Sequence, residues 1–245
     1  MATYVLVHGG WHGAWCWRKV APLLRAHGHE VFTPTLTGLG ERSHLANPLI
    51  DLATHVTDIV NVLLYEDLSE VILLGHSNGG TLITAVAERI PERLAHLVYL
   101  DAFVPEDGQA TVDLVNFPAG TLEARARTEG FGWLLPSLRP LPWDEMVRDV
   151  WQVTDEVDRR WMVERLGPTP LKVFTDRVTR INPAAEALPH TYIRCLRNAP
   201  MPAFDRFAEA AKSTPGWQYR ELYAAHEPFI THPQELADLL LEVSA

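Results

Sequence analysis

Apolar residues recur along this chain in two alternating rhythms. Short, largely continuous runs at residues 4–7, 30–33, 71–74, 97–100, 191–196 and 218–222 have the length and β-branched content of strands. Between them, apolar positions return at helical spacing. Val20, Leu23 and Leu24 share one face of residues 15–26, a helix that Gly28 stops. Leu52, Val56, Ile59, Val60 and Leu63 line residues 50–65 in the same way. Residues 81–89 form a helix that ends before Pro91, and residues 203–212 and 233–243 are predicted helical as well. Apolar strands without in–out alternation, separated by helices, predict a parallel sheet covered on both faces.

Residues 105–180 break the rhythm. They contain no convincing strand and are rich in Trp, Pro and charge, with Trp143, Val147 and Val150 at helical spacing and Trp151 beside them. The pattern predicts a helical cap (105–180) inserted into a core made of residues 1–104 and 181–245. An insertion at the C-terminal end of a strand lies where such sheets bind ligands. A helical subdomain that packs its own tryptophans is the plainer reading, and a cap needs such a core too.

Composition narrows the function classes. Of 245 residues, 47% are hydrophobic and 21% charged, which suits a folded globular chain. The formal net charge is -10 with no long basic run, so a nucleic-acid partner is not expected. Cys16 and Cys195 are too far apart in sequence to suggest a disulfide framework or zinc cluster, and are expected as buried free thiols. No apolar run approaches the roughly 20 residues of a membrane span. The chain runs from Met1 straight into a strand, without a basic segment and long apolar stretch, so a cytoplasmic enzyme is expected. No G-x-G-x-x-G follows a strand and no H-E-x-x-H helix is present, which argues against dinucleotide and metal chemistry.

The strongest chemical signal is Gly75-His76-Ser77-Asn78-Gly79, set between an apolar strand and a helix. A sharp strand-to-helix turn lifts a serine hydroxyl above the sheet, and small residues at 75 and 79 let the chain pack around it. Ser77 is therefore the predicted nucleophile. The Asn78 amide, at a helix N-terminus, is the predicted first oxyanion donor. His8-Gly9-Gly10 follows the first strand and supplies the second donor, the Gly10 amide; His8 itself is expected to brace the loop. A base is expected near the C-terminus, and His226, in the loop after the last strand, fits. His232 is expected at the surface or as a cap, and His190 begins a strand at the wrong end of the sheet.

The segment from His8 to Trp17, the Gly75-His76-Ser77 turn, Pro168-Thr169-Pro170-Leu171 and His226 together resemble the plant methylesterase and hydroxynitrile lyase branch of the α/β-hydrolases and its bacterial esterase relatives. The resemblance covers nearly the whole chain. It implies an α/β-hydrolase fold with a six-stranded, mostly parallel sheet, helices on both faces, a helical cap, and no metal or organic cofactor. Lyases of the branch carry a threonine and a lysine where this chain has Gly9 and Glu227. A carboxylate opposes a departing cyanide, so hydrolysis is favoured over lyase chemistry. The branch normally places an aspartate after the penultimate strand, but residues 194–200 hold no carboxylate. Asp101, which ends the first strand after the serine, is the stronger candidate, because haloalkane dehalogenases of this fold can draw their acid from that position. Asp205, the alternative, falls within a predicted helix, and a site without an acid remains open.

These readings converge on a serine carboxylesterase that cleaves a small apolar or aromatic ester through Ser77, His226 and Asp101. Trp11, His12, Trp133 and Trp151 are candidate pocket residues, with Trp143 and Trp161 also in view, though each tryptophan could equally be core. The expected partner is a small-molecule ester, with neither nucleic acid nor membrane. Oligomeric state is open, a homodimer included. A lyase and a ligand receptor of the same fold are the rival readings.

Overall fold

Six strands form one sheet in which every pairing is parallel: β1 (Thr3–Val7), β2 (Glu30–Phe32), β3 (Val71–His76), β4 (Leu94–Leu100), β5 (His190–Cys195) and β6 (Trp217–Leu222). The structure, a computed structural model, describes residues 1–115, 117–197 and 202–243. The strand order is β2-β1-β3-β4-β5-β6. All residues of β3 and β5 are buried, as continuous apolar strands in a covered sheet should be. Exposed residues appear in the edge strands β2 and β6. The chain moves from β1 outward to β2 and then crosses back to β3. That reversal opens a crevice between the C-terminal ends of β1 and β3, the place where ligands bind in such sheets. The His8-Gly9-Gly10 loop leaves β1 there, and Ser77 leaves β3.

Seven α-helices of six residues or more are described: α1 (Ala21–Ala26), α2 (Leu52–Tyr65), α3 (Gly79–Arg89), α4 (Thr121–Glu129), α5 (Glu156–Val163), α6 (Asp205–Ser213) and α7 (Pro233–Val243). The apolar face predicted for α2 is buried, and Asp51 starts that helix through a reciprocal capping box with Thr54. Residues 15–26 do not form one helix. They divide into a 3-10 turn, Ala14–Arg18, and α1. Pro22 sits in the first turn of α1 and has no amide hydrogen to close a turn behind it, so the helix begins there. A 3-10 turn, Pro202–Phe204, likewise precedes α6, which makes Asp205 the first residue of that helix rather than an interior one. No helix among the described residues is long and apolar enough to cross a membrane.

Between β4 and β5 the chain leaves the sheet. It builds α4, α5 and, against expectation, a two-stranded antiparallel ladder pairing Leu134–Leu135 with Thr169–Pro170. Two-residue strands are too short to carry a periodic signal. The helical spacing at Trp143, Val147 and Val150 becomes one α-turn, Trp143–Glu145, running into a π-turn, Met146–Val150. The wider turn leaves Val147, Val150 and Trp151 buried.

Gly75 shows why the elbow tolerates no larger residue. A Cβ there would lie 2.4 Å from the Gly79 carbonyl oxygen, which is backbone and cannot swing aside. Gly75→Ala is expected to destabilise the chain by roughly 1–3 kcal/mol, the usual cost of forced overpacking. A thermal melt should register a drop of about 2–4 °C per kcal/mol, and an unchanged melting temperature would contradict this packing.

Candidate functional site

Three strand-end loops meet in the crevice, and each contains a non-glycine residue in the left-handed region: Trp11 (φ 67°), Ser77 (φ 54°) and Asp101 (φ 43°). Such conformations persist only where surrounding contacts enforce them, and they concentrate at functional sites. The enforcing contacts are visible. The Ser77 amide donates to the Leu100 carbonyl at 3.3 Å, the Phe103 amide to the Ser77 carbonyl at 3.1 Å, and the Asp101 amide to the Ile193 carbonyl at 2.8 Å. The ends of β3, β4 and β5 are thereby fixed against one another.

Asp101 is fully buried, and its Oδ2 accepts from His226 Nδ1 at 2.8 Å. Its Oδ1 accepts from Arg194 Nη1 and from the Cys195 amide at 3.2 Å. Burial opposes ionisation of this carboxyl, but the hydrogen bond and charge of His226, together with Arg194, outweigh it and hold Asp101 below its ordinary value. Asp205 reaches this group only at second hand. Its Oδ1 accepts from Arg194 Nη2 at 2.6 Å and Nε at 3.1 Å, and its side chain is largely exposed. Of the two acids weighed from sequence, only Asp101 is hydrogen-bonded to the imidazole. The Asn198, Ala199 and Pro200 positions that replace the usual acid loop lie outside the described residues. Arg194 was missed, yet it left a signal: a fully charged side chain in a predicted central strand demands a partner.

Ser77 and His226 line one small cavity, with Gly10, Trp11 and His12 from the first loop. His76 and Glu227 complete its floor, and Leu138 and Trp151 close it from residues 105–180. Its volume is about 10 Å³, room for one water at most. Surface clefts of about 420 and 520 Å³ lie elsewhere and include none of Ser77, Asp101 and His226. Trp11 pins the loop to the cap region: its amide donates to Thr169 Oγ1 at 2.6 Å and its indole N–H to the Leu135 carbonyl at 3.0 Å. Trp133 is not brought to the cavity. It is half-buried, and its carbonyl accepts from the Leu171 amide beside the two-residue ladder. Trp143 and Trp161 are also outside the lining, packed on Trp11 and Trp15 respectively. Asn78 opens α3, and its side-chain oxygen accepts from Thr111 at 2.7 Å.

The histidines separate by what their ring nitrogens meet. His8 donates from Nδ1 to the Gly9 carbonyl and accepts from the Leu36 amide at Nε2; burial lowers its pKa to about 3, so it braces the loop as a neutral ring. His76 bonds through Nε2 to the His226 carbonyl at 2.8 Å, and burial lowers it to about 3 as well. His12 bonds through Nδ1 to the Gly10 carbonyl at 2.7 Å, with Nε2 3.4 Å from Glu227 Oε2. His190 stacks on Trp217 at the start of β5, and half-buried His232 contacts Thr231. Cys16 and Cys195 are buried and unbridged, and burial raises both thiols well above their ordinary pKa, which leaves them poor nucleophiles. Among the described residues, His76, His226 and Glu227 offer ligand atoms within 4.8 Å of one another. With His226 Nδ1 already on Asp101, a cation there would occupy the other ring nitrogen.

Residues 4–239 match the Alpha/beta hydrolase family. A carbendazim hydrolyzing esterase from Nocardioides sp. (strain SG-4G) is 36% identical over 249 residues, covering 98% of each chain. Putative methylesterase 13, chloroplastic, from Arabidopsis thaliana is 28% identical over 98% of this chain, which spans 56% of that protein's length. Among solved structures, an extracellular alpha/beta-hydrolase from a Paenibacillus species, described as sharing structural and functional homology with Tobacco Salicylic Acid Binding Protein 2, superimposes with a TM-score of 0.85 at 25% identity, covering 99% of this chain and 98% of that one.

Arg194→Met removes the cation from a buried pair. The loss is expected to reach about 3–5 kcal/mol, because Asp101 is left with an uncompensated charge. The pH dependence follows from the depressed Asp101 value. The wild-type contribution is fully present above the ordinary carboxylate range and is lost as pH falls through the lowered folded value. In the variant that value rises, so acid unfolding should begin at higher pH. Denaturation midpoints measured from pH 3 to 7 check this, and superimposable acid limbs would refute it.

Proposed function

The chain belongs to the Alpha/beta hydrolase family, and we propose that it cleaves small apolar or aromatic carboxylic esters with Ser77 as nucleophile, His226 as base and Asp101 as acid. It is a carboxylic ester hydrolase, as its relatives' descriptions support. The observation that carries the residue assignment is the 2.8 Å contact from His226 Nδ1 to buried Asp101, on an imidazole that shares a cavity with Ser77.

Ser77 Oγ attacks the ester carbonyl while His226 Nε2 takes its proton. Asp101 holds the imidazole in the tautomer with hydrogen on Nδ1 and balances the imidazolium that forms. The Gly10 and Asn78 amides receive the oxyanion, aided by the N-terminus of α3. His226 then protonates the leaving alcohol, the C–O bond breaks, and an acyl group remains on Ser77. Water, deprotonated by His226, attacks that acyl group and releases the acid and free Ser77. Residues 105–180 act as a cap, since Leu138 and Trp151 leave room for about one water and must move before an ester can bind.

Two observations weigh against lyase chemistry. Glu227 is a buried anion where a lyase needs a cation, and burial's opposition is outweighed by His12, His76 and His226, which hold its carboxyl at about 2. A Cβ on Gly9 would stand 3.0 Å from Ser77 Cβ and 3.1 Å from His76 Nδ1, so a threonine there would require these neighbours to shift. The receptor reading rested on a missing acid, and the Asp101 contact removes that support. Cytoplasmic residence and a small-molecule ester as partner complete the proposal, the two unbridged thiols favouring the first.

Ser77→Ala should abolish hydrolysis of p-nitrophenyl acetate. Asp101→Asn should cost about 10³–10⁴ in kcat, whereas Asp205→Asn, which alters only the exposed outer partner of Arg194, should stay within about fivefold of wild type. A larger loss at Asp205 than at Asp101 would defeat the acid assignment. Trp151→Ala should raise kcat/KM for bulky aryl esters relative to the acetate by about tenfold.

A further inference from the structure

Glu227 has no part in the mechanism above, yet it is fully buried and lines the same cavity as Ser77 and His226. Among the described residues, neither of its oxygens finds a well-formed hydrogen bond; the nearest donor is His12 Nε2, 3.4 Å from Oε2. A buried acceptor left in this state is costly, and native structures keep one only where something else completes it. The surroundings give the carboxylate charge compensation without a hydrogen bond for Oε1. The Gly10 carbonyl can only accept, so His12 Nδ1 donates to it, and Nε2 of the same ring is the atom turned toward Glu227.

We propose that Glu227 is a substrate-recognition residue that accepts a hydrogen bond from a neutral N–H group placed one or two bonds from the scissile carbonyl, alkyl and aryl carbamates being the simplest such esters. The inference rests on the esterase reading above. The shared lining sets the short reach, because Glu227 borders the same cavity as Ser77 and sits next in sequence to His226. The surrounding charges set the neutrality. His226, in the same cavity, becomes cationic during the reaction, so a cation in the substrate would oppose that step. A neutral N–H completes the acceptor and adds no charge. Replacing a lyase's cation with this anion thus changes which group beside the carbonyl is welcomed, and leaves the Ser77, His226 and Asp101 steps as they stand.

The test compares p-nitrophenyl N-methylcarbamate with p-nitrophenyl N,N-dimethylcarbamate, and uses p-nitrophenyl acetate as the reference, in wild type, Glu227→Gln and Glu227→Met. The reading is the ratio of acylation rate constants for the N–H and N-methylated carbamates, followed by p-nitrophenol release. Intrinsic reactivity cancels when that ratio is compared between proteins. The ratio should fall about 10- to 100-fold in Glu227→Met, the worth of a hydrogen bond to a charged group, and about fivefold in Glu227→Gln, which keeps a neutral acceptor of the same shape. A general loosening of the site would slow all three esters and leave the ratio unmoved. If Glu227→Met does not fold, the Gln variant carries the test. Cleavage of the acetate with an unchanged ratio in the folded variants would overturn this inference alone. Failure of wild type to cleave any of the three would overturn the esterase reading itself.

Discussion

One buried carboxylate organises the mouth of this sheet. Asp101 is removed from water, and an ion in that position is tolerated only when its oxygens are matched by donors and opposite charge. Here one oxygen takes the imidazole of His226, and the other takes Arg194 and the Cys195 amide. These donors arrive from the loop after β6 and from the end of β5, while Asp101 itself ends β4. A left-handed backbone at residue 101 lets one short side chain serve both sides. Asp is among the few non-glycine residues that accept that conformation at modest cost. A carboxylate buried at this strand end is matched by a cation from the neighbouring strand, and Arg194 is that cation.

The same constraint explains how the region beyond the sheet is attached. Trp11 holds a left-handed conformation in the first loop, and both its N–H groups bond to residues that lie between β4 and β5 in the chain, Thr169 and Leu135. The loop that contains Gly10 is thus tied, through one backbone and one indole N–H, to the segment whose Leu138 and Trp151 close the cavity beside Ser77.

The sheet, its parallel sense and the serine elbow were legible because each depends on local pattern: continuous apolar runs, a strand-to-helix change and small residues at fixed offsets. The meeting of Asp101 with His226 could be anticipated because Asp101 follows a strand that the pattern had already located. Trp11 could be favoured from its neighbours in the first loop, but Trp133 could not be separated from Trp151, since in sequence an indole looks alike whether it packs a core or faces a ligand. The split of residues 15–26 turned on the backbone consequences of Pro22, which outweighed a sound helical face. The ladder at residues 134–135 and 169–170 was out of reach, because two residues have no period. Arg194 and Glu227 stood in plain sight as charged residues in apolar surroundings, but their partners come from distant segments that only the fold brings near.

Four imidazoles crowd this crevice, and residue type alone does not assign their tasks. What each ring's N–H meets does. His8 and His76 give theirs to backbone carbonyls, which carry no net charge, and burial keeps both rings neutral. His12 also gives Nδ1–H to a carbonyl but turns its other nitrogen toward the Glu227 carboxylate, 3.4 Å away. Only His226 directs Nδ1 to Asp101 while sharing a cavity with a serine. His76 adds a constraint of position, since its bond to the His226 carbonyl anchors that backbone from the elbow itself. The residue before Ser77 thus holds the loop that carries His226, and the two sides of the cavity are tied by one ring.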